Sequence, residues 1–140
     1  MEHRFLHDIG VSLVSRPVPK MVNILRAEVD RFGFDLVLSV DATTRHLQMK
    51  TRSGNPPNNP YQISEALWAI NGATVVWMCY DQATLEPTGY WTLGVPMPAI
   101  EPFPPSDRAG YRNVRMQDCP ETTRHLNVNQ LAERLFPENE

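Results

Sequence analysis

Apolar residues return every three to four positions at the start of the chain, where Leu6, Ile9 and Leu13 share a stripe widened by Phe5 and Val14. That spacing predicts one amphipathic helix from Glu2 to Ser15. The pattern then shortens. Met21 to Asp30 reads as a strand carrying Val22, Ile24 and Leu25, and Phe34 to Val40 (FDLVLSV) as a second, rich in apolar and β-branched residues. Arg45 to Arg52 (RHLQMKTR) alternates, and the short polar Asp41-Ala-Thr-Thr before it predicts a hairpin turn. Farther on, Ile63, Ala66, Leu67 and Ile70 fall on one helical face, so Tyr61 to Ile70 is expected as a helix stopped by Asn71-Gly72. Ala73 to Tyr80 (ATVVWMCY) is apolar almost throughout, as a central strand covered on both faces should be. Tyr90 to Leu93 reads as a short strand, and Val128 to Phe136 as a closing helix with Leu131, Leu135 and Phe136 inward.

Proline separates these segments. Pro17 and Pro19 follow the first helix, Pro56, Pro57 and Pro60 mark a loop, and Pro96 to Pro105 form an irregular stretch. A residue without an N–H that also restricts its predecessor interrupts regular structure wherever it clusters. The order is helix, three strands, helix, strand, an appendage and a last helix. Such a chain is expected to be α/β, a mixed central sheet flanked by helices.

At 140 residues with 41% hydrophobic and 21% charged positions, the expectation is one domain over 1–140. Its core would occupy about 1–98, followed by the Pro-rich stretch at 95–106 and the helix at about 128–136. The formal charge of -3 argues against a general nucleic-acid coat, but it is unevenly spread: residues 1–60 balance at +2 and residues 61–140 at -5. Cys79 and Cys119 lack C-x-x-C spacing, so buried free thiols in a reducing, cytoplasmic setting are expected. No apolar run approaches the ~18 residues of a membrane span. The N-terminus lacks a signal-peptide pattern, so no membrane association is expected.

Candidate chemistry concentrates in residues 33–54, GFDLVLSVDATTRHLQMKTRSG. Side chains alternate on a strand, so His46, Gln48 and Lys50 share one face and Leu47 and Met49 the other. If the hairpin pairs as read, Asp35 lies near Gln48 and Lys50 at one end of the sheet. Asp35, the Gln48 amide oxygen and the Met49 carbonyl would suit a hard divalent cation, Mg²⁺ or Mn²⁺. Lys50 would orient or help deprotonate a water attacking a phosphate.

The Asp…Gln-x-Lys pattern, set between an N-terminal helix and a following helix–strand pair, resembles the PD-(D/E)xK, restriction-endonuclease-like nucleases. Gln in place of Glu is similar to the Mrr-type branch. The stretches EVDRFGFDLVL, RHLQMK, ISEALW and TVVWMCYDQATLEPTGYWTLG resemble uncharacterised bacterial members, over roughly residues 20–98. The resemblance implies an αβββαβ core and hydrolysis of DNA phosphodiester bonds. It implies Asp35, Gln48 and Lys50 as catalytic residues, with Asp35, Gln48 and Met49 holding the metal. It also implies DNA as partner and a homodimer. Two departures stand out: Phe34 precedes Asp35 where the motif has Pro, and Gln48 leaves the site one carboxylate short. The resemblance places a compensating Glu on the first helix, at Glu2. Asp30 ranks beside it, ahead of Asp8 and Glu28.

Taken singly, these residues have plain structural readings: Asp35 as a turn residue, Lys50 and Arg52 as solvated strand charges. His3 and His7 have metal-ligand spacing without a third partner, and His46 either lines the face or is an exposed strand residue. Trp68, Trp77, Tyr90 and Trp91 are read as packing. Lys20, Arg26, Arg31, Arg45, Lys50 and Arg52 could form a phosphate-facing patch. Two other classes compete: a catalytically inactive module of the same fold binding nucleic acid or a partner protein, and an unrelated α/β ligand-binding domain.

Overall fold

A computed structural model describes residues 2–26, 33–54 and 59–138. Helix α1 spans Glu2–Val14, followed by β1 (Asn23–Arg26), β2 (Leu36–Val40), β3 (Thr43–Ser53) and β4 (Tyr61–Ser64). A 3-10 helix (Glu65–Ala69) leads into β5 (Ala73–Tyr80) and β6 (Pro87–Thr92). After the Pro-rich stretch come β7 (Tyr111–Val114), two 3-10 turns and α2 (Val128–Leu135). The main sheet has the order β1-β2-β3-β5-β6, with β3 and β5 parallel and the other neighbours antiparallel. This is a mixed α/β architecture with a five-stranded central sheet flanked by helices. Among the described residues no helix is long and apolar enough to cross a membrane.

The β2–β3 hairpin turns on Asp41 and Ala42 alone, with Asp41 at φ 53 and Val40 paired to Thr43. A left-handed residue of this kind matches the twist of a two-residue hairpin, and Asp tolerates it. Thr43 and Thr44, expected in the turn, therefore begin β3. The strand expected over Met21 to Asp30 is β1 as far as Arg26; Glu28, Asp30 and Arg31 lie outside the described residues.

The helix expected over Tyr61 to Ile70 is a correction. Tyr61–Ser64 pairs as β4 with β7, from Tyr61 against Val114 to Ser64 against Tyr111. Only Glu65–Ala69 turns, as a 3-10 helix capped by the Ser64 hydroxyl accepting from the Ala66 N–H. Ile63 and Leu67 are buried all the same. A strand followed by a tight turn buries the same i and i+4 positions as an α-helix, so periodicity alone does not separate them. Among its described residues, the crossover between the parallel strands β3 and β5 has no α-helix.

Each face of the sheet has its own core. On one, Phe5, Ile9 and Leu13 of α1 and Leu131 and Leu135 of α2 cover Leu36, Leu38, Leu47, Val76 and Met78. On the other, Ile63, Leu67, Phe103, Val114 and Met116 cover Val75, Trp77, Cys79, Trp91 and Leu93. β5 is buried from both sides, which explains its near-continuous apolar sequence. Arg45 ties the helical layer down by donating to the last-turn carbonyl of Leu135 at 2.7 Å.

Candidate active site

The register that pairs Val40 with Thr43 carries along the hairpin to Leu36 against Leu47 and ends there, which leaves Asp35 beside Gln48. The Asp35 N–H donates to the Leu47 carbonyl at 2.8 Å, which fixes the backbone where β2 begins. Its carboxylate accepts from Gln48 Nε2 at 3.2 and 3.3 Å and from the Met49 N–H at 2.9 Å. Hydrogen bonds from both a side chain and a backbone donor hold the carboxylate in one orientation.

Gln48 is 8% exposed and paired to Val75, whereas Leu47 belongs to the helical face. Its amide therefore lies on the face away from α1. Lys50 follows on that face, paired with Trp77 and partly exposed, about 7 Å farther along the strand. Arg52 comes next, opposite Cys79. The Met49 N–H points at Asp35. Because the N–H and C=O of one strand residue leave on the same edge, the Met49 carbonyl points the same way. A carboxylate, an amide and a main-chain carbonyl thus converge beyond the start of β2.

Glu2 reaches the same end of the sheet by another route. Its carboxylate pairs at 2.9 Å with Arg26, which stands opposite Leu36, the neighbour of Asp35. Arg26 also lies 3.3 Å from His3 Nδ1. Asp8 turns elsewhere, bonded at 2.8 Å to Arg4, whose guanidinium also meets Glu86. Among the described residues no three His, Cys, Asp or Glu side chains converge, so His3 and His7 gain no third partner.

Two supports of Asp35 are not evident from the sequence. His46 meets Phe34 edge-on at 4.9 Å between ring centroids, bracing the residue before Asp35. Burial pushes the His46 pKa down, and its Nδ1 is buried without a hydrogen-bond partner. Gly33, at φ +84, lies so close to Ser64 that an added Cβ would come within 2.7 Å of it. Only glycine combines that conformation with that approach.

Of the basic patch expected from the sequence, Arg31 lies outside the described residues, and three others are engaged elsewhere. Lys20 pairs with Asp41 at 2.8 Å, Arg26 with Glu2, and Arg45 with α2. Lys20, Arg26 and Arg45 are thus engaged away from the Gln48 face, along which Lys50 and Arg52 follow. The aromatic residues are packing: Trp77, Tyr90 and Trp91 are buried, and Trp68 donates to the Pro98 carbonyl beside Phe103.

No family model matches the chain, and no curated protein sequence does either. Among solved structures, it aligns with Hjc, a Holliday junction resolvase from the archaeal hyperthermophile Archaeoglobus fulgidus. The alignment covers 93% of this chain and 98% of that one at 16% identity, with a TM-score of 0.42.

Proposed function

We propose that this protein is a divalent-metal-dependent nuclease that hydrolyses DNA phosphodiester bonds at the start of β2. The observation that carries the reading is the Asp35 carboxylate drawn against the Gln48 amide and the Met49 N–H, with Lys50 next along the same strand face. The element order supports it: a helix, a three-stranded antiparallel meander, a crossover and a strand parallel to the third. The resemblance to PD-(D/E)xK nucleases implies the same order with an α-helix in the crossover, where the described residues have β4 and a 3-10 helix.

The residues fit a hard cation. Asp35 supplies a carboxylate oxygen and Met49 a carbonyl, while Gln48 turned about its last bond presents Oε1 instead of Nε2. Mg²⁺ commonly binds through one or two carboxylates plus substrate phosphates, so a single Asp with neutral donors suffices. Mg²⁺ or Mn²⁺ there supplies Lewis-acid stabilisation of charge developing on a phosphoryl oxygen. Asp35 is held in place for that task by its two donors. Lys50 donates to the attacking water and orients it towards phosphorus, while Glu2 would make up the negative charge that Gln48 lacks only when released from its ion pair with Arg26.

Purified protein incubated with supercoiled and linear duplex DNA and Mg²⁺ or Mn²⁺ tests this. Asp35→Ala and Lys50→Ala should each lower the cleavage rate by at least about 100-fold. Far-UV circular dichroism would verify that both variants remain folded. Cleavage that survives both substitutions refutes the site. Binding of DNA without cleavage would instead assign a nucleic-acid-binding module.

A further inference from the structure

At the end of the hairpin opposite Asp35, a pocket of about 340 Å³ opens between the β2–β3 turn and the segments that follow α1 and α2. Asp35 precedes β2 and the pocket begins at Val40, about 17 Å away along the strand. Its walls are held from several sides. Asp41 sits at φ 53 in the two-residue turn, and the Leu13 carbonyl accepts from the Arg16 and Lys20 N–H groups at 3.4 and 3.0 Å. The Phe136 N–H closes α2 by donating to the Ala132 carbonyl at 2.8 Å. Val40, Phe136 and Pro137 give the pocket its apolar side.

The charged residues of the lining balance, Arg16 and Lys20 against Asp41 and Glu138. They are not equally satisfied. Lys20 and Asp41 pair closely, at 2.8 Å. The Arg16 side chain is only 9% exposed, yet its acids stand off, Glu138 at 3.5 Å and Glu133 at 3.6 Å. Charge-assisted hydrogen bonds close to ~2.7–2.9 Å. A sequestered guanidinium is best met by a carboxylate that takes two of its N–H groups at once, and each glutamate brings a single oxygen at long range.

We propose that this pocket binds a free α-amino acid with an apolar side chain of the size of leucine or phenylalanine. The ligand carboxylate takes the Arg16 fork, its ammonium meets the Glu138 carboxylate, and its side chain lies against Val40 and Phe136. An α-amino acid carries its two charges on one carbon. Arg16 Nε and Glu138 Oε1 are neighbours at 3.5 Å, so one ligand answers both without displacing either. A lining with balanced charge favours such a zwitterion over a net anion or cation, which would leave one of the two unanswered. The volume is at the lower end of the ~300–1,000 Å³ of small-molecule sites, which selects a ligand of this size. The site is separate from the Asp35 cluster and does not rest on the nuclease reading.

L-leucine and L-phenylalanine titrated into the whole chain by calorimetry, with amide NMR shifts followed in parallel, test the proposal. At least one should saturate with Kd below about 1 mM, its shifts centred on residues 16–20, 40–43 and 136–138. N-acetyl-leucine, which lacks the ammonium, and isoamylamine, which lacks the carboxylate, should each bind at least about tenfold more weakly. Arg16→Gln and Glu138→Gln should weaken the amino acid to the same degree. Glu138 is half exposed, so its variant should keep the wild-type circular dichroism even where Arg16→Gln does not. Asp35→Ala should bind as wild type does. Failure of both amino acids to saturate by about 10 mM overturns the proposal, as does binding indifferent to Glu138→Gln or shifts centred elsewhere. Equal binding of isoamylamine or N-acetyl-leucine would mark a simple ion contact and equally overturn it.

Discussion

On one face of the main sheet two α-helices lie over Leu36, Leu38, Leu47, Val76 and Met78. On the other the cover is a 3-10 helix, a two-stranded sheet and the Pro-rich stretch, with Gln48 exposed by only 8% among them. Both faces exclude water, yet only the second admits a polar row, Gln48, Lys50 and Arg52, along one strand. A helix presents a continuous apolar stripe and leaves little room beneath it for an amide. Cover made of turns and strand ends provides carbonyls, N–H groups and gaps, and there an oriented carboxylate can sit at a strand start without a buried charge at the sheet's centre.

If the irregular cover packs as tightly as the helical one, equal truncations should cost the same. Trp77→Ala on the irregular face and Phe5→Ala on the helical face should each lower stability by about 3–5 kcal/mol in urea unfolding. A loss under about 1 kcal/mol at Trp77 would show that the irregular layer collapses into the space, and the comparison would fail.

A smaller effect probes what holds β5 to β6. The Thr92 hydroxyl donates to the Val75 carbonyl at 2.8 Å and accepts from the Gly94 N–H, with Thr74 at 3.2 Å. The bonds to Val75 and Thr74 are buried and the one from Gly94 partly so. Thr92→Val keeps the volume and strands those groups, so a cost of about 1–3 kcal/mol is expected from the same unfolding measurement.

The helical face was legible in the sequence because its signals are local. The stripe of Phe5, Ile9 and Leu13 needs no knowledge of its partner, and the Ala73–Tyr80 run announces cover on both sides. The irregular face was not. Tyr61–Ser64 is a strand because Tyr111–Val114 lies beside it, and nothing between residues 61 and 70 encodes a partner so distant along the chain. The proximity of Asp35 and Gln48 could be anticipated, since a hairpin register follows from its turn. The fate of the basic residues could not. Arg45 is committed to Leu135 and Lys20 to Asp41 by tertiary contacts, and charge counting along the sequence treats every cation as available. The contact of His46 with Phe34 was hidden for the same reason.

Gln48→Glu sharpens the contrast at the polar row itself. It replaces an amide that donates to Asp35 at 3.2 Å with a second carboxylate. Two carboxylates so close repel when ionised, so the melting temperature should fall by several degrees, about 1–2 kcal/mol, without divalent ion. Millimolar Mg²⁺ should restore it, because a cation bound only by the folded state stabilises in proportion to its affinity. Wild type, with its neutral amide, should respond less to Mg²⁺. A variant that loses stability and regains none with Mg²⁺ or Mn²⁺ would count against the metal-binding role of these oxygens.

The smallest expected effect follows from His46. Burial lowers its pKa in the folded chain, while in the unfolded chain it returns to about 6.5. As pH falls below that value the unfolded state binds the proton first, so His46 favours folding above it and loses that contribution as pH falls through the depressed folded value. The melting temperature should therefore drop between about pH 6.5 and pH 5 more steeply in wild type than in His46→Phe, which keeps a ring against Phe34 and cannot take a proton. Carboxylates titrate over part of the same range, but they are common to both proteins and cancel in the difference. Identical slopes would mean that the ring charges in place without cost, which is incompatible with a buried Nδ1 lacking a partner beside Phe34.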